Sequence, residues 1–86
     1  MSGINENSYQ LVESHYQLMQ DLIDIREKQN LSQEEVGTRM GTSQSTVALF
    51  ESYDSNPTLG TIRRYALAVG AKIIHQVIET DRHEWN

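Results

Sequence analysis

The chain has no cysteine among its 86 residues. Disulfide bonds and thiolate metal sites are therefore excluded, and the cysteine content gives no reason to expect secretion. No apolar run approaches the roughly 20 residues of a membrane-spanning helix. The first residues, MSGINENS, lack the apolar centre of a signal peptide. We therefore expect a cytoplasmic protein.

Cationic side chains are also scarce. The chain has 7 lysines and arginines against 12 aspartates and glutamates, which gives a net charge of −5. Between Leu31 and Thr58 the only cation is Arg39. Attraction between cations and phosphates normally supplies most non-specific affinity for nucleic acid. If this protein binds DNA, neutral donors, helix N-termini or a partner must take over that role.

The sequence shows no catalytic constellation. His15, His75 and His83 stand apart, no carboxylate or serine lies at catalytic spacing from them, and there is no glycine-rich phosphate loop. A single small domain also leaves little room for a deep catalytic cleft beside a complete core. We therefore expect a protein that is not an enzyme and that holds no metal or cofactor.

The most informative stretch is residues 31–51, which reads as two short helices joined by a tight turn. Ser32 is an N-cap candidate, and Glu35 three residues later completes a capping box. Gly41 provides the left-handed backbone position that ends the first helix. Gly37 is predicted to face the next helix, where a larger side chain would hold the two helices apart.

The second helix of this stretch is capped by Thr42 or Ser43, and its buried residues are predicted to be Val47 and Phe50. An ordinary helical hairpin is the alternative interpretation. The very short turn favours the steeper crossing of a helix-turn-helix. A merely solvated face would normally carry lysine and glutamate, whereas the outward face here is small or amide-bearing and uncharged. Its residues are Gln44, Ser45, Thr46, Ala48 and Leu49.

The flanking segments complete a helical domain over residues 8–70, after a polar tail at 1–7. Residues 8–29 show two adjoining apolar stripes at helical spacing. The N-terminal part of this helix, with Tyr9, Val12 and Tyr16, is expected to cover a dimer or partner surface, or else is simply a longer first helix lying over the core.

Another helix is predicted from Thr58 to Val69 and ends at Gly70. Its inward residues are predicted to be Leu59, Ile62, Tyr65, Ala66 and Val69. Arg63 and Arg64 lie on its outer side, where they serve solubility and carboxylate pairing or else contact phosphates.

Residues 71–79, AKIIHQVIE, fit a strand or a helical stripe. Four β-branched residues, a preceding glycine and the lack of a capping residue favour a strand. A lone strand exposes unpaired backbone groups, so we expect it to pair with the same strand of a second copy across a two-fold axis. The predicted dimer residues are Ile73, Ile74, Val77 and Ile78. Residues 80–86 form a polar tail in which Trp85 either anchors a partner or packs locally.

The run LSQEEVGTRMGTSQSTVALFES resembles the helix-turn-helix of Xre/Cro-type phage repressors and their bacterial relatives. The run NPTLGTIRRYALAVG is similar to the last core helix of that family, and the resemblance extends over about residues 18–70. It implies an all-α, phage-repressor-like bundle of four to five helices. A strand after the last helix is also found in some bacterial antitoxins of this superfamily, those that pair with Hip- or Hig-type toxins. The resemblance further implies a largely buried, structural ion pair between Arg26 and Glu51.

In this motif the second helix enters the major groove with its N-terminal residues against base edges. The amide of Gln44 suits adenine, Ser45 suits a base or a phosphate, and Ala48 or Leu49 suits a thymine methyl. The remaining candidates, on phosphates, are Gln33, Thr42, Ser43, Thr46 and Thr58. The family usually has a polar or basic residue near Leu49 and basic residues at the positions of Tyr53 and Asp54. These departures favour a more apolar, shape-dependent readout.

The sequence therefore predicts a homodimeric, sequence-specific regulator of transcription, a repressor, that binds double-stranded DNA through a helix-turn-helix. The alternative is an antitoxin that neutralises a toxin by protein–protein contact and represses its own operon. The negative charge near the DNA-facing helix and the tail with Trp85 suit the alternative. The two functions are compatible.

Overall fold

The computed structural model describes residues 6–79, with side chains from Leu11 onward. Four helices make up this part of the chain, which confirms the all-α class. Their bounds are α1 Glu6–Lys28, α2 Gln33–Met40, α3 Gln44–Glu51 and α4 Leu59–Val69. Among these residues no helix combines the length and the apolar character needed to cross a membrane. The predicted tail at 80–86, with Trp85 and His83, lies outside the described residues.

The ends of α2 follow the pattern that the sequence predicts. The hydroxyl of Ser32 accepts a hydrogen bond from the Glu35 amide at 3.0 Å, and the carboxylate of Glu35 accepts one from the Ser32 amide at 2.8 Å. Gly41 has φ of 74° and closes the helix in the left-handed region. The capping box and the glycine terminus are therefore confirmed.

The later helices are capped in the same way. Ser43, and not Thr42, caps α3 by accepting a hydrogen bond from the Thr46 amide at 3.1 Å. Thr58 caps α4 by accepting one from the Thr61 amide at 3.2 Å. Each cap satisfies one of the backbone donors that a helix N-terminus leaves without a partner.

The core lies where the four helices meet, with α2 packed against α3 and α4, and α4 packed against α1. Tyr65 is fully buried at its centre, and its ring stacks on that of Phe50 with 4.6 Å between centroids. Both residues were predicted to face inward, whereas Leu59, for which the same prediction was made, is 56% exposed in the first turn of α4. The buried hydrophobic residues are Met19, Leu22, Val36, Val47, Phe50, Ile62, Tyr65, Ala66, Ala68 and Val69.

The N-terminal half of α1 extends beyond this core. Leu11 and Val12 are 65% and 70% exposed, and Tyr16 is 48% exposed. Tyr16 makes an edge-to-face contact with Tyr53 of the α3–α4 loop, with 5.4 Å between ring centroids. These three side chains therefore do not lie over the core, and the side chain of Tyr9 is outside the described residues.

Residues 71–79 form neither a strand nor a helix, which corrects the predicted strand within the chain. Ala71 and Ile73 pack against the core, and the Ala71 amide donates to the Ala66 carbonyl at 2.8 Å. From Ile74 onward the segment is exposed, including Val77 and Ile78. Strands exist only as paired ladders, and no segment within residues 6–79 pairs with this one.

Gly37 lies directly under the turn of the helix-turn-helix. A Cβ atom built on it would come within 2.9 Å of the Thr42 carbonyl oxygen and 3.1 Å of the Ser43 backbone. The Thr42 amide donates to the Gly37 carbonyl at 2.7 Å, which holds the turn against α2. The predicted close approach at Gly37 is therefore confirmed, with the turn backbone as the neighbour.

We expect Gly37→Val to lower the free energy of unfolding by about 1–3 kcal/mol, because the branched side chain must displace this turn. Urea denaturation measures the change. Gly60→Val is the matched control, since the nearest neighbour of a Cβ at Gly60 is the Thr58 hydroxyl at 3.8 Å. An equal loss of unfolding free energy in Gly37→Val and Gly60→Val would contradict the role of Gly37 as a spacer.

Candidate nucleic-acid interface

The outer face of α3 is free of core contacts. Gln44, Ser45 and Thr46 are exposed in its first turn, and Leu49 is 70% exposed one turn later. Ala48 is half-buried between them. Val47 and Phe50, on the other side of the helix, are buried as predicted. The fold therefore presents a neutral surface of one amide, two hydroxyls and apolar carbon.

The amide of Gln44 is held by a second glutamine from the preceding helix. Gln44 Nε2 donates to Gln33 Oε1 at 2.6 Å, so the first residue of α3 is joined to the first residue of α2. Gln33 Nε2 in turn donates to Glu51 Oε1 at 2.9 Å. The sequence singled out Gln33 and Gln44 separately, but it carried no signal that their side chains meet.

Hydroxyl groups surround the start of α3. The Ser43 hydroxyl lies 3.1 Å from that of Ser45 and 2.9 Å from that of Thr46. Thr42 is half-buried in the turn. Thr58 lies at the start of α4, with its hydroxyl 3.1 Å from that of Thr61. The structure thus brings Ser43, Ser45 and Thr46 together and places Thr58 on a separate helix N-terminus.

Arg39, the single cation between Leu31 and Thr58, is not part of the exposed surface of α3. Arg39 Nη1 donates to the Ala68 carbonyl at 2.7 Å, at the C-terminal end of α4. A cation at this end of a helix satisfies a free carbonyl and is favoured by the helix dipole. Arg63 and Arg64 are exposed on α4, and Arg64 lies 3.5 Å from the Thr61 hydroxyl.

Beneath this surface lies the ion pair that the resemblance implied. Arg26 Nε donates to Glu51 Oε2 at 2.7 Å and Nη2 donates to Oε1 at 3.1 Å, with the two side chains only 12% and 8% exposed. Arg26 Nη1 also donates to the Leu31 carbonyl at 2.8 Å. The expected ion pair is confirmed, and it joins α1 to the end of α3.

Tyr65 adds a contact that the sequence reasoning missed. Its hydroxyl donates to Glu51 Oε2 at 2.6 Å, so α4 shares the same carboxylate. Tyr65 was predicted to face inward, and a buried phenol usually needs a hydrogen-bond partner. That requirement, together with the expected burial of Glu51, was the available signal for this contact.

These contacts shift the pKa values of Glu51, Tyr65 and Arg26. Burial by itself raises the pKa of Glu51, but the hydrogen bonds from Arg26, Tyr65 and Gln33 outweigh burial, so the pKa lies below the ordinary value. Burial, followed by the neighbouring Glu51 carboxylate, raises the pKa of Tyr65. Burial lowers the pKa of Arg26, and Glu51 more than restores it. The carboxylate, the guanidinium and the neutral phenol are therefore the stable forms.

In the described part of the chain, no three His, Cys, Asp or Glu side chains lie close enough together to hold a metal ion. His15 lies on α1 and His75 lies in the segment after α4, as the separated positions in the sequence indicated.

We expect Arg26→Met to lower the free energy of unfolding by about 3–5 kcal/mol at neutral pH, because it leaves the Glu51 charge buried without its partner. The wild-type protein should lose this stabilisation as pH falls through the lowered pKa of Glu51, whereas it is fully present above the ordinary value of 4.5. The variant should lose less of its stability in acid, and urea denaturation at neutral and acidic pH measures both effects.

Glu27→Gln is the control for this prediction. Glu27 lies 3.9 Å from Arg26 but its side chain is 62% exposed, so its removal should change stability little. Similar losses in Arg26→Met and Glu27→Gln would contradict the importance of the buried pair.

Comparison with known proteins agrees with this geometry. A family model described as helix-turn-helix matches residues 22–73. The chain is 46% identical over 56 residues to proteins named Antitoxin HigA1 from two strains of Mycobacterium tuberculosis, CDC 1551 / Oshkosh and ATCC 25618 / H37Rv. The match covers 65% of this chain and 38% of each relative, so the chain spans well under half their length. No solved structure gives a significant match. The chain therefore belongs to the Xre-like helix-turn-helix family.

Proposed function

We propose that this protein is a sequence-specific regulator of transcription, a repressor, that inserts α3 into the major groove of double-stranded DNA. The observation that carries the proposal is the exposed, uncharged face of α3, whose first residue, Gln44, is fixed by a hydrogen bond of 2.6 Å to Gln33. Preorganised side chains lose less entropy on binding than free ones. A glutamine at this position of the motif therefore suits direct base recognition.

Gln44 is the residue that we expect to read a base. Its amide carries both a donor and an acceptor, which complement N7 and N6 of adenine in the major groove. Ala48 and Leu49 follow along the same face, and the 70% exposed side chain of Leu49 offers apolar surface to a thymine methyl. Ser45 supplies a small hydroxyl for a base or a phosphate.

Phosphate contacts are assigned to neutral groups at three helix N-termini. Backbone amides and the helix dipole favour anions at these ends. The hydroxyl and amide side chains there are Gln33, Thr42, Ser43, Thr46 and Thr58. Because Arg39 is bound to the Ala68 carbonyl, cations contribute little to this surface. The proposal therefore implies affinity that depends on shape and hydrogen bonding more than on counterion release.

We expect Gln44→Ala to weaken binding to the best DNA site by about 1–3 kcal/mol and to relax the preference at one base pair. Selecting bound duplexes from a random pool with the wild-type protein identifies the site. Titrations of single-base-pair variants of that duplex then measure the preference. Gln17→Ala, which removes an exposed glutamine of α1 bonded to Asp21, is the matched control and should change neither quantity. Unchanged affinity and preference in Gln44→Ala would contradict the assigned recognition helix.

We further propose that two copies bind one operator and pair through residues 71–79. The segment leaves the core after Ile73, and its remaining predicted dimer residues are exposed: Ile74 by 82%, Val77 by 95% and Ile78 by 71%. Pairing with a second copy would complete the backbone hydrogen bonds and cover these side chains. The two recognition helices would then lie about 34–36 Å apart, or a multiple of that distance.

We expect the double variant Ile74→Asp, Ile78→Asp to be monomeric and to bind the operator much more weakly. In an extended segment these two positions face the same side, so both charges would enter the pairing surface. Analytical ultracentrifugation measures the oligomeric state, and circular dichroism checks the fold. A dimer that survives this double variant but dissociates in Val12→Asp would place the interface on α1 instead.

The second candidate function is that of an antitoxin which neutralises a partner toxin and represses its own operon. The likeness to proteins named Antitoxin HigA1, together with the exposed apolar residues of α1, favours it. A DNA-binding role for α3 is compatible with it, because the two functions would use different surfaces. The reading frame next to this gene distinguishes them: a kinase-like or ribonuclease-like toxin there supports the antitoxin function.

A further inference from the structure

We propose that Glu51 is a positioning residue for base recognition: through Gln33, its carboxylate fixes which way the amide of Gln44 points. The inference rests on the proposed reading of DNA by Gln44. It assigns to Glu51, which faces away from the groove at the far end of α3, a part in choosing the base. The observation behind it is a continuous chain of hydrogen bonds from Glu51 through Gln33 to Gln44.

The chain starts from a group that can only accept hydrogen bonds. Glu51 receives donors on both oxygens: Arg26 Nε and the Tyr65 hydroxyl on Oε2, Arg26 Nη2 and Gln33 Nε2 on Oε1. With its pKa held below the ordinary value, the carboxyl is ionised and offers no proton. Its side chain is 8% exposed, so water cannot readily replace these donors. The carboxylate is thus saturated and fixed in orientation by two other helices.

This saturated acceptor determines the direction of the Gln33 amide. The NH₂ end of Gln33 must face Glu51, because two oxygens in contact would repel each other. The oxygen of Gln33 is therefore turned toward Gln44, where it accepts a hydrogen bond at 2.6 Å. The two ends of an amide are alike in size, so sterics alone would leave both orientations open.

The direction of the Gln33 amide then fixes the direction of the Gln44 amide. One Nε2 hydrogen is given to Gln33, which leaves the second N–H and the oxygen as the free edge of the amide. That edge has one donor and one acceptor, the pair that N7 and N6 of adenine require. A reversed Gln33 would present its N–H to Gln44 and draw the Gln44 oxygen toward it. Donor and acceptor would then exchange places on the free edge and mismatch adenine in the same docking position.

The structure offers a matched pair of variants to separate this role from stability. Glu51→Gln introduces an NH₂ group beside Gln33 and allows either amide orientation. Tyr65→Phe removes a donor from the same carboxylate but on Oε2, the oxygen that Gln33 does not use. Both variants loosen the buried cluster, and only the first removes the constraint on Gln33.

The probe is the duplex selected from a random pool by the wild-type protein, together with its single-base-pair variants. We expect Glu51→Gln to lose about tenfold in discrimination at the base pair that Gln44→Ala also relaxes. Tyr65→Phe should keep the wild-type discrimination at that base pair, even where its stability falls. A uniform loss of affinity in Glu51→Gln for all duplexes, or an equal loss of discrimination in Tyr65→Phe, would overturn the positioning role.

The outcome for Gln44→Ala separates the two proposals. If it leaves base preference unchanged while Glu51→Gln changes it, the reading role of Gln44 fails and Glu51 acts through another residue, which overturns the inference as stated.

A measurement on the wild-type protein keeps the inference testable where Glu51→Gln does not fold. NMR of the free protein should show nuclear Overhauser contacts between the Gln33 side-chain NH₂ protons and the γ protons of Glu51, and between the Gln44 NH₂ protons and the γ protons of Gln33. Contacts from the Gln33 NH₂ protons to Gln44 but none to Glu51 would mean the opposite orientation. That result would overturn the proposal without any substitution.

Discussion

The fold depends on one nearly buried carboxylate, because Glu51 is where all four helices are hydrogen-bonded together. Arg26 reaches it from α1, Gln33 from α2 and Tyr65 from α4, while Glu51 itself ends α3. Burial of a charge is costly, and the hydrogen bonds and the opposite charge of Arg26 offset that cost. A buried polar network of this kind, with its donors and acceptors satisfied, makes a core more rigid and favours a single packing arrangement.

The exposed surface of the helix-turn-helix is unusual for a DNA-binding domain in its electrostatics. The chain carries a net charge of −5, and the one cation between Leu31 and Thr58 is bound to the Ala68 carbonyl. In the proposed function, the helix N-termini of α2, α3 and α4, with their capping hydroxyls, take the place of cations as the groups that face phosphates. The proposed dimer would double the number of such contacts on one operator and so would raise the affinity for DNA.

Much of the local structure could be predicted from the residues themselves. The capping box at Ser32 and Glu35, the left-handed Gly41 and the close approach at Gly37 each depend on a few neighbouring residues, and all three agree with the structure. The Arg26–Glu51 pair followed from resemblance. The hydrogen bonds of Gln33 with Glu51 and with Gln44 could not be predicted, because they depend on side-chain directions across α2 and α3. The contact of Tyr65 with Glu51 left only a general signal, since a buried phenol needs a hydrogen-bond partner. The predicted strand at 71–79 was wrong for the single chain, because no other segment of residues 6–79 forms a strand with which it could pair.

The sharing of Gln33 between Glu51 and Gln44 affects how such a protein can acquire a new binding site during evolution. In the proposed readout, Leu49 is 70% exposed and is not one of the buried core residues, so its replacement would alter the recognised sequence without disturbing the core. A mutation of Gln44 also removes a partner from Gln33, so changes at these two positions are expected to accompany each other. Divergence of the recognised sequence should therefore be gradual along the middle of α3 and should proceed by paired replacements at its start.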